Sequence, residues 1–140
     1  MKKHPLVKDL ENNVYCRLKP SPIQGIGVFA IRKIPKGINP FKSFSKDEFE
    51  GLKSSEVFKN KNITKEVKKL VNDVYITYKD IVYLKTTGIN SINIGFFVNH
   101  SNKPNLRIGD DDEFYALREI KIGEELTLDY TEWGTDWENF

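Results

Sequence analysis

Residues 97–105 read FVNHSNKPN, an apolar run that breaks abruptly into small polar side chains. Asn99, Ser101 and the residues behind them can cap their own backbone, so the segment alone is also compatible with an Asx-turn at the surface. His100 by itself is more often a hydrogen-bonded structural histidine than a ligand or a base. Two other stretches of the chain favour a functional interpretation of this segment.

The second stretch, residues 120–130, reads IKIGEELTLDY and predicts a turn followed by a strand. Gly123 supplies the turn, and the strand covers Leu126-Thr127-Leu128. It leads into Tyr130. Taken alone, such a tyrosine is usually a packing residue whose hydroxyl is satisfied locally.

The third stretch, residues 25–30, reads GIGVFA. Gly25 and Gly27 on either side of Ile26 would let the backbone approach a ligand that a Cβ would block. The pattern is not a dinucleotide-binding fingerprint, because the third glycine is missing and an apolar strand follows instead of a helix. The alternative is a tight turn between two strands.

The remaining pattern predicts a protein that is mainly β, with several short strands. A hairpin is expected where two apolar runs flank Lys79-Asp80. The other strands are predicted at 14–18, 28–31, 105–108 and 114–117.

A small helical insertion is predicted at residues 45–74. Ser45 and Glu48 form a capping box that opens a short helix reaching about Phe58. A second helix is predicted because five apolar residues share one face at helical spacing. These residues are Ile63, Val67, Leu70, Val71 and Val74. The expected organisation is an N-terminal arm at 1–13 that is loosely held, one domain at 14–130, and an aromatic tail at 131–140.

The composition excludes several classes of protein. The 140 residues carry 22 Lys and Arg against 20 Asp and Glu, a net charge of +2, so nothing demands a polyanionic partner. Cys16 is the single cysteine, and with only two histidines a four-ligand zinc site is not expected. No apolar run approaches the ~20 residues of a membrane span, and the N-terminus lacks a signal peptide's apolar core. We expect an intracellular protein of the cytoplasm or nucleus (of a host, if it comes from a virus or is an effector).

Taken together and in order, these stretches resemble the signature of the SET-domain lysine methyltransferases. The family pattern has a Gly-x-Gly turn with an apolar strand, a Pro-Lys-Gly turn, an Asn-His-Ser segment with Pro-Asn behind it, and a Gly-Glu-Glu-Leu…Asp-Tyr strand. The chain matches this pattern at 25–30, 35–37, 99–105 and 123–130, and the stretch 114–120 is also similar. The resemblance spans roughly residues 14–130.

The resemblance implies the SET-domain (β-clip) fold, in which short curved sheets surround a knot-like core. It also implies S-adenosyl-L-methionine as the cofactor and S-adenosyl-L-homocysteine as its product. The glycine turn would lie along this cofactor, Asn99 would bond its amino group, and the backbone of His100 would bond its adenine. The cofactor-binding residues predicted in this way are Gly25, Ile26, Gly27, Tyr75, Asn99 and His100.

Tyr130 corresponds to the family's catalytic tyrosine, which implies a protein-lysine N-methyltransferase acting on a lysine-containing protein or peptide, for example a histone. Methyl transfer to an amine is an in-line displacement, so alignment supplies much of the acceleration. The amine must be neutral although a free lysine has a pKa of about 10.4, and an apolar channel beside a sulfonium favours the neutral form. The predicted channel residues are Phe97, Leu128, Trp133 and Trp137.

The chain departs from the family pattern at several positions. It lacks the family's cysteine-rich zinc clusters, so its tail at 131–140 is the candidate lid of the lysine channel, the alternative being a frayed terminus. Phe96 replaces a common arginine, and Pro40 would interrupt a strand that usually follows the Pro-Lys-Gly turn. Leu128 stands where most members carry a Phe or Tyr that limits the number of methyl groups added.

Two other functions stay open on the sequence. A SET fold without catalysis would hold only a peptide or the cofactor, although Asn99, His100 and Tyr130 are all present. A nucleic-acid-binding surface is suggested by a group of lysines, for which the solvated face of a helix is the better account. These lysines are Lys59, Lys61, Lys65, Lys68 and Lys69. The expected oligomeric state is a monomer or a homodimer.

Overall fold

The chain divides into two units, the second inserted into the first. The structure, a computed structural model, describes residues 3–43 and 48–133. The described part of the first unit comprises 3–43 and 93–132, and that of the second unit comprises 48–92 and 133.

The described part of the chain contains nine strands, three α-helices and three 3₁₀ helices. In chain order they are α1 (Pro5–Asn12), β1 (Cys16–Pro20), β2 (Ile26–Ala30), β3 (Phe49–Lys53), α2 (Ser54–Phe58), α3 (Lys65–Val74), β4 (Thr77–Tyr78), β5 (Ile81–Lys85), 3₁₀ helices at Ile89–Ser91 and Ile94–Phe97, β6 (Asn99–His100), β7 (Leu106–Ile108), β8 (Phe114–Ala116), β9 (Glu125–Leu128) and a 3₁₀ helix at Tyr130–Trp133.

The C-terminal strand β9 lies inside the main sheet of the first unit, whose order is β1-β2-β9-β6. It pairs antiparallel with β2, with Leu126 opposite Val28, and parallel with β6, with Thr127 opposite Asn99. The last strand therefore threads between two segments that precede it in the chain. This arrangement confirms the knot-like core of short sheets that the sequence predicted.

Apolar side chains from these strands, from β7 and from the segments between strands fill the core of the first unit. Six of them are fully buried, and full burial of such a side chain contributes about 1.5–3 kcal/mol relative to exposure. They are Val28, Ile34, Leu106, Ile120, Leu126 and Leu128. Leu126 and Leu128 belong to β9, so the strand that leads to Tyr130 is itself part of the core.

The hairpin of β7 and β8 confirms the strand pair expected at 105–108 and 114–117. The segment after the Pro-Lys-Gly turn runs beside it, because Gly37 N donates to the carbonyl oxygen of Ala116 at 2.8 Å. Residues 38–41 form no strand, in agreement with the expectation for Pro40.

The second unit is a three-stranded antiparallel sheet, in the order β3-β5-β4, with α2 and α3. The predicted hairpin is confirmed, and its two turn residues Lys79 and Asp80 have φ of 49° and 64°, as a type I′ turn requires. The second predicted helix is confirmed as α3. Thr64 caps it, since its side chain accepts from Val67 N at 3.2 Å.

The helix predicted from Ser45 to about Phe58 is wrong over residues 49–53. Residues 44–47 lie outside the described part of the chain, β3 occupies Phe49–Lys53, and only Ser54–Phe58 is helical. All five residues of β3 pair with β5. Glycine at position 51 would destabilise a helix by about 1 kcal/mol relative to alanine. In β3 the position needs a residue without a side chain, because a Cβ would lie 2.8 Å from Ile81 Cγ2.

The N-terminal segment contains a helix where the sequence predicted no regular element. Pro5 opens α1, and His4 Nδ1 caps it by accepting from Leu6 N at 3.1 Å. Arg32 Nη1 donates to the carbonyl oxygen of Glu11 at 2.9 Å, which ties the helix to the rest of the first unit. None of the helices in residues 3–43 and 48–133 is long and apolar enough to span a lipid bilayer.

Candidate active site

The turn before β2 lies against the first residue of β6. Asn99 Nδ2 donates to the carbonyl oxygens of Gln24 and Ile26, each at 3.2 Å. The same nitrogen donates to Glu125 Oε2 at 2.9 Å. Two stretches predicted to bind the cofactor, which are far apart in the sequence, are therefore in direct contact.

The two positions of this turn require glycine for different structural reasons. Gly25 has φ of +49°, a left-handed conformation that glycine adopts at little cost, and a Cβ there would meet open space. At Gly27 a Cβ would lie 2.3 Å from Glu125 Oε2. The sequence attributed both glycines to the approach of a ligand, but the group that fills the space beside Gly27 is the chain's own carboxylate.

At the other end of β6 and β9, His100 and Tyr130 are in contact. Tyr130 N donates to His100 Nδ1 at 3.1 Å, and the two rings have centroids 5.2 Å apart at 57°. Ser101 N donates to the carbonyl oxygen of Leu128 at 3.0 Å and extends the pairing of the two strands. Because Nδ1 accepts, this arrangement places no proton on that nitrogen.

The Tyr130 hydroxyl is directed at the backbone just before Asn99. It donates to the carbonyl oxygen of Val98, and burial raises the pKa of Tyr130 above its ordinary value of 10.0. The hydroxyl is therefore protonated at neutral pH and is available as a hydrogen-bond donor. Phe97, a predicted channel residue, is half-buried and ends the 3₁₀ helix that leads into Val98.

Asp129 sets the direction of the chain at Tyr130. Asp129 Oδ1 accepts from the Thr131 hydroxyl at 2.7 Å and from Thr131 N at 3.0 Å. These bonds, the hydroxyl first, hold the pKa of Asp129 below its ordinary value. Asp129 thereby caps the 3₁₀ helix that begins at Tyr130.

A model of the SET domain matches residues 25–131 of the chain. The chain belongs to the SET-domain family. Members of this family are typically protein-lysine methyltransferases that use S-adenosylmethionine. The matched region contains the glycine turn, the Asn-His-Ser segment and the Asp-Tyr strand, and it also contains the inserted second unit.

The fold is similar to that of a solved structure from Plasmodium falciparum, a "putative histone methyltransferase". The two chains are 18% identical with a TM-score of 0.51, and the match covers 89% of this chain and 97% of the other. At this identity the similarity shows the fold alone. None of the curated proteins matches the sequence.

The SET domain contains a site residue to which sequence analysis assigned no role. Asn105 is 3% exposed, and its side-chain amide forms hydrogen bonds with two backbone groups of β9. Nδ2 donates to the carbonyl oxygen of Glu125 at 2.9 Å, and Oδ1 accepts from Thr127 N at 2.8 Å. Asn105 thus fixes the strand that carries the site, and the Pro-Asn pattern behind Asn-His-Ser is the signal that would have found it.

Three predicted residues lie outside the described part of the first unit. Tyr75 lies in the second unit, where it follows α3 and is 3% exposed, and burial raises its pKa against the opposing effect of the Lys85 backbone. Leu128, by contrast, pairs with His100 within the cluster, and its side chain is fully buried. Trp137 and the side chain of Trp133 lie outside the described residues, as does most of the candidate lid. The contacts proposed for these residues stay predictions.

The residues that the structure describes offer no group of three His, Cys, Asp or Glu side chains that would hold a metal ion. Burial raises the pKa of Cys16 to about 12, so its thiol stays protonated at neutral pH and is a poor ligand and nucleophile. Of the predicted site residues, the structure brings Asn99, His100 and Tyr130 together on β6 and directly after β9.

Proposed function

We propose that this SET domain is an S-adenosylmethionine-dependent protein-lysine N-methyltransferase. The observation that carries the proposal is the Tyr130 hydroxyl, which donates to the Val98 carbonyl oxygen immediately before the Asn-His pair of β6. A hydroxyl fixed on a backbone carbonyl, next to the residues that match the family's cofactor site, is a suitable group for aligning an incoming amine.

The residues around Asn99 fit the charge of the cofactor. Its amino acid end carries an ammonium group near a positively charged sulfur, and the SET domain presents the Gln24 and Ile26 carbonyl oxygens and the Glu125 carboxylate in this region. Acceptors and a negative charge stabilise such a ligand. The groups that would hold it are the backbone at 25–27, Asn99 and the backbone of His100. When bound, the cofactor supplies an electrophilic methyl group.

Tyr130 acts by position in this proposal. Its raised pKa keeps the hydroxyl neutral, so it does not remove the proton of the substrate lysine, which is lost to solvent before transfer. The hydroxyl orients the neutral amine and stabilises charge that develops during transfer. The Val98 carbonyl fixes the hydroxyl, so little reorganisation is needed.

The test is incubation of the full chain with isotopically labelled S-adenosylmethionine and a panel of lysine peptides, read by mass spectrometry. Histone-tail peptides belong in the panel because the similar structure from Plasmodium falciparum is described as that of a histone methyltransferase. We expect a mass gain of one or more methyl groups on lysine, and none with Tyr130→Phe at matched times. Binding of the cofactor without any transfer to the panel or to the chain itself would contradict the proposal and support a binding module.

A further inference from the structure

Glu125 is the one acidic side chain in the cluster that joins the glycine turn to β6. Its two carboxylate oxygens accept from the Ser21 hydroxyl at 2.8 and 2.9 Å, and Oε2 also accepts from Asn99 Nδ2 at 2.9 Å. The side chain occupies the space that a Cβ of Gly27 would need. Hydrogen bonds from Ser21 and Asn99 thus converge on a single carboxylate that also lies against Gly27.

A carboxylate decides which way the Asn99 amide faces. An ionised carboxylate only accepts hydrogen bonds, so Asn99 presents its NH₂ group to Glu125 and turns its Oδ1 away. The carbonyl oxygens of Gln24 and Ile26 also accept from this nitrogen and favour the same orientation. Asn99 thereby offers an acceptor, and not a donor, to a ligand on its other side.

The same carboxylate fixes the turn through Ser21. With its hydroxyl proton committed to Glu125, Ser21 Oγ accepts from Ile23 N at 3.0 Å and from Gln24 N at 3.4 Å. Ser21 N donates to the Gly25 carbonyl oxygen at 2.8 Å and closes the turn. One carboxylate thus determines both the backbone of the turn and the orientation of the Asn99 side chain.

We propose that Glu125 is the positioning residue of the cofactor site. It makes Asn99 Oδ1 the acceptor for the cofactor's amino group, and it holds the Gly25–Gly27 backbone in its binding conformation through Ser21. This inference rests on the proposed function. Glu125 acts on cofactor affinity and does not take part in methyl transfer, which separates its role from that of Tyr130.

The first test measures binding of S-adenosylhomocysteine by titration calorimetry, together with KM and kcat. Glu125→Ala should weaken binding at least tenfold, while kcat at saturating cofactor stays within about twofold of wild type. Glu125→Gln should retain part of the affinity, because its amide oxygen still accepts from Asn99 and Ser21. Glu124→Gln is the matched control, since the neighbouring Glu124 pairs with Arg118 and Lys121 N instead of the site.

The second test needs no cofactor and measures unfolding by urea. Gly27→Ala should lower the unfolding midpoint of the wild-type chain and should lower it much less in the Glu125→Ala background, because the clash at 2.3 Å has been removed. Additive effects of the two substitutions would overturn the contact on which the proposal rests.

The outcomes separate this inference from the proposed function. Wild-type affinity in folded Glu125→Ala and Glu125→Gln variants would overturn the inference and leave the methyltransferase proposal standing. A wild-type chain that binds no S-adenosylhomocysteine would overturn both, even where the unfolding cycle shows coupling. If Glu125→Ala does not fold, Glu125→Gln and Ser21→Ala carry the binding test, and both should lose affinity.

Discussion

The two ends of the β6–β9 pair are held in different ways. At the Asn99 end, a carboxylate, an amide, a hydroxyl and two backbone carbonyls form one connected set of hydrogen bonds. At the Tyr130 end, the hydroxyl bonds to the Val98 carbonyl and the backbone N–H to His100 Nδ1. The difference teaches that the geometry at the Asn99 end is distributed over several side chains, whereas under the proposed function the alignment of the amine at the other end would depend mainly on the Tyr130 hydroxyl.

The largest effect is expected at the Tyr130 end. Tyr130→Phe keeps the ring and removes the group that would act in the transition state, so kcat should fall on the order of 10²-fold or more. Cofactor affinity should barely change, because the lost interaction is strongest in the transition state. Single-turnover kinetics and calorimetry test this together. A fully active Tyr130→Phe variant would show that the two ends do not divide the work as described.

At the Asn99 end we expect a smaller effect, on cofactor affinity instead of on kcat. Asn99→Ala should weaken cofactor binding by about 1–3 kcal/mol, the usual cost of leaving partners unsatisfied. Asn99→Asp should be at least as damaging, because it sets a second carboxylate beside Glu125. Asn102→Asp, an exposed change in the same segment, is the control. Unchanged calorimetric affinity in folded Asn99 variants contradicts the assignment.

Between the two ends, Asn105 should contribute to stability and only indirectly to function. Asn105→Ala leaves the Glu125 carbonyl oxygen and Thr127 N without their side-chain partner inside the core, at a cost of about 2 kcal/mol. The free energy of unfolding in urea measures this loss, with the exposed Asn102→Ala as control. A loss no larger than that of Asn102→Ala would mean that β9 is held by its strand pairing alone.

The smallest effect is expected in the pH profile of turnover, whose shape should be the same for the wild type and for Tyr130→Phe. Turnover should rise from about pH 7 to about pH 9 as the substrate amine, with a pKa of about 10.4, loses its proton. Burial disfavours the Tyr130 anion and raises its pKa above 10.0, so the hydroxyl keeps its proton throughout this window. Tyr130→Phe should therefore give a lower profile of the same shape. A changed slope would indicate that Tyr130 takes up the proton.

Local chemistry explains which elements the sequence predicts correctly. The left-handed residues Lys79 and Asp80 fit the shortest hairpin turn, and the Thr64 cap with an apolar face gives α3. Each of these signals lies within about fifteen residues of sequence. β3 was missed because its partner β5 begins at Ile81, and the capping-box pattern at Ser45 and Glu48 could not reveal that pairing.

The sequence by itself determined the order of the family motifs, and with them the SET fold and the candidates Asn99, His100 and Tyr130. Only the tertiary structure showed why Gly27 must be a glycine and what Glu125 does. Ser21 and Glu125 are 104 residues apart, and Asn99 and Glu125 are 26 residues apart. Local periodicity and turn preferences act over a few residues, so contacts that form when β9 threads between β2 and β6 are decided by packing of the whole unit.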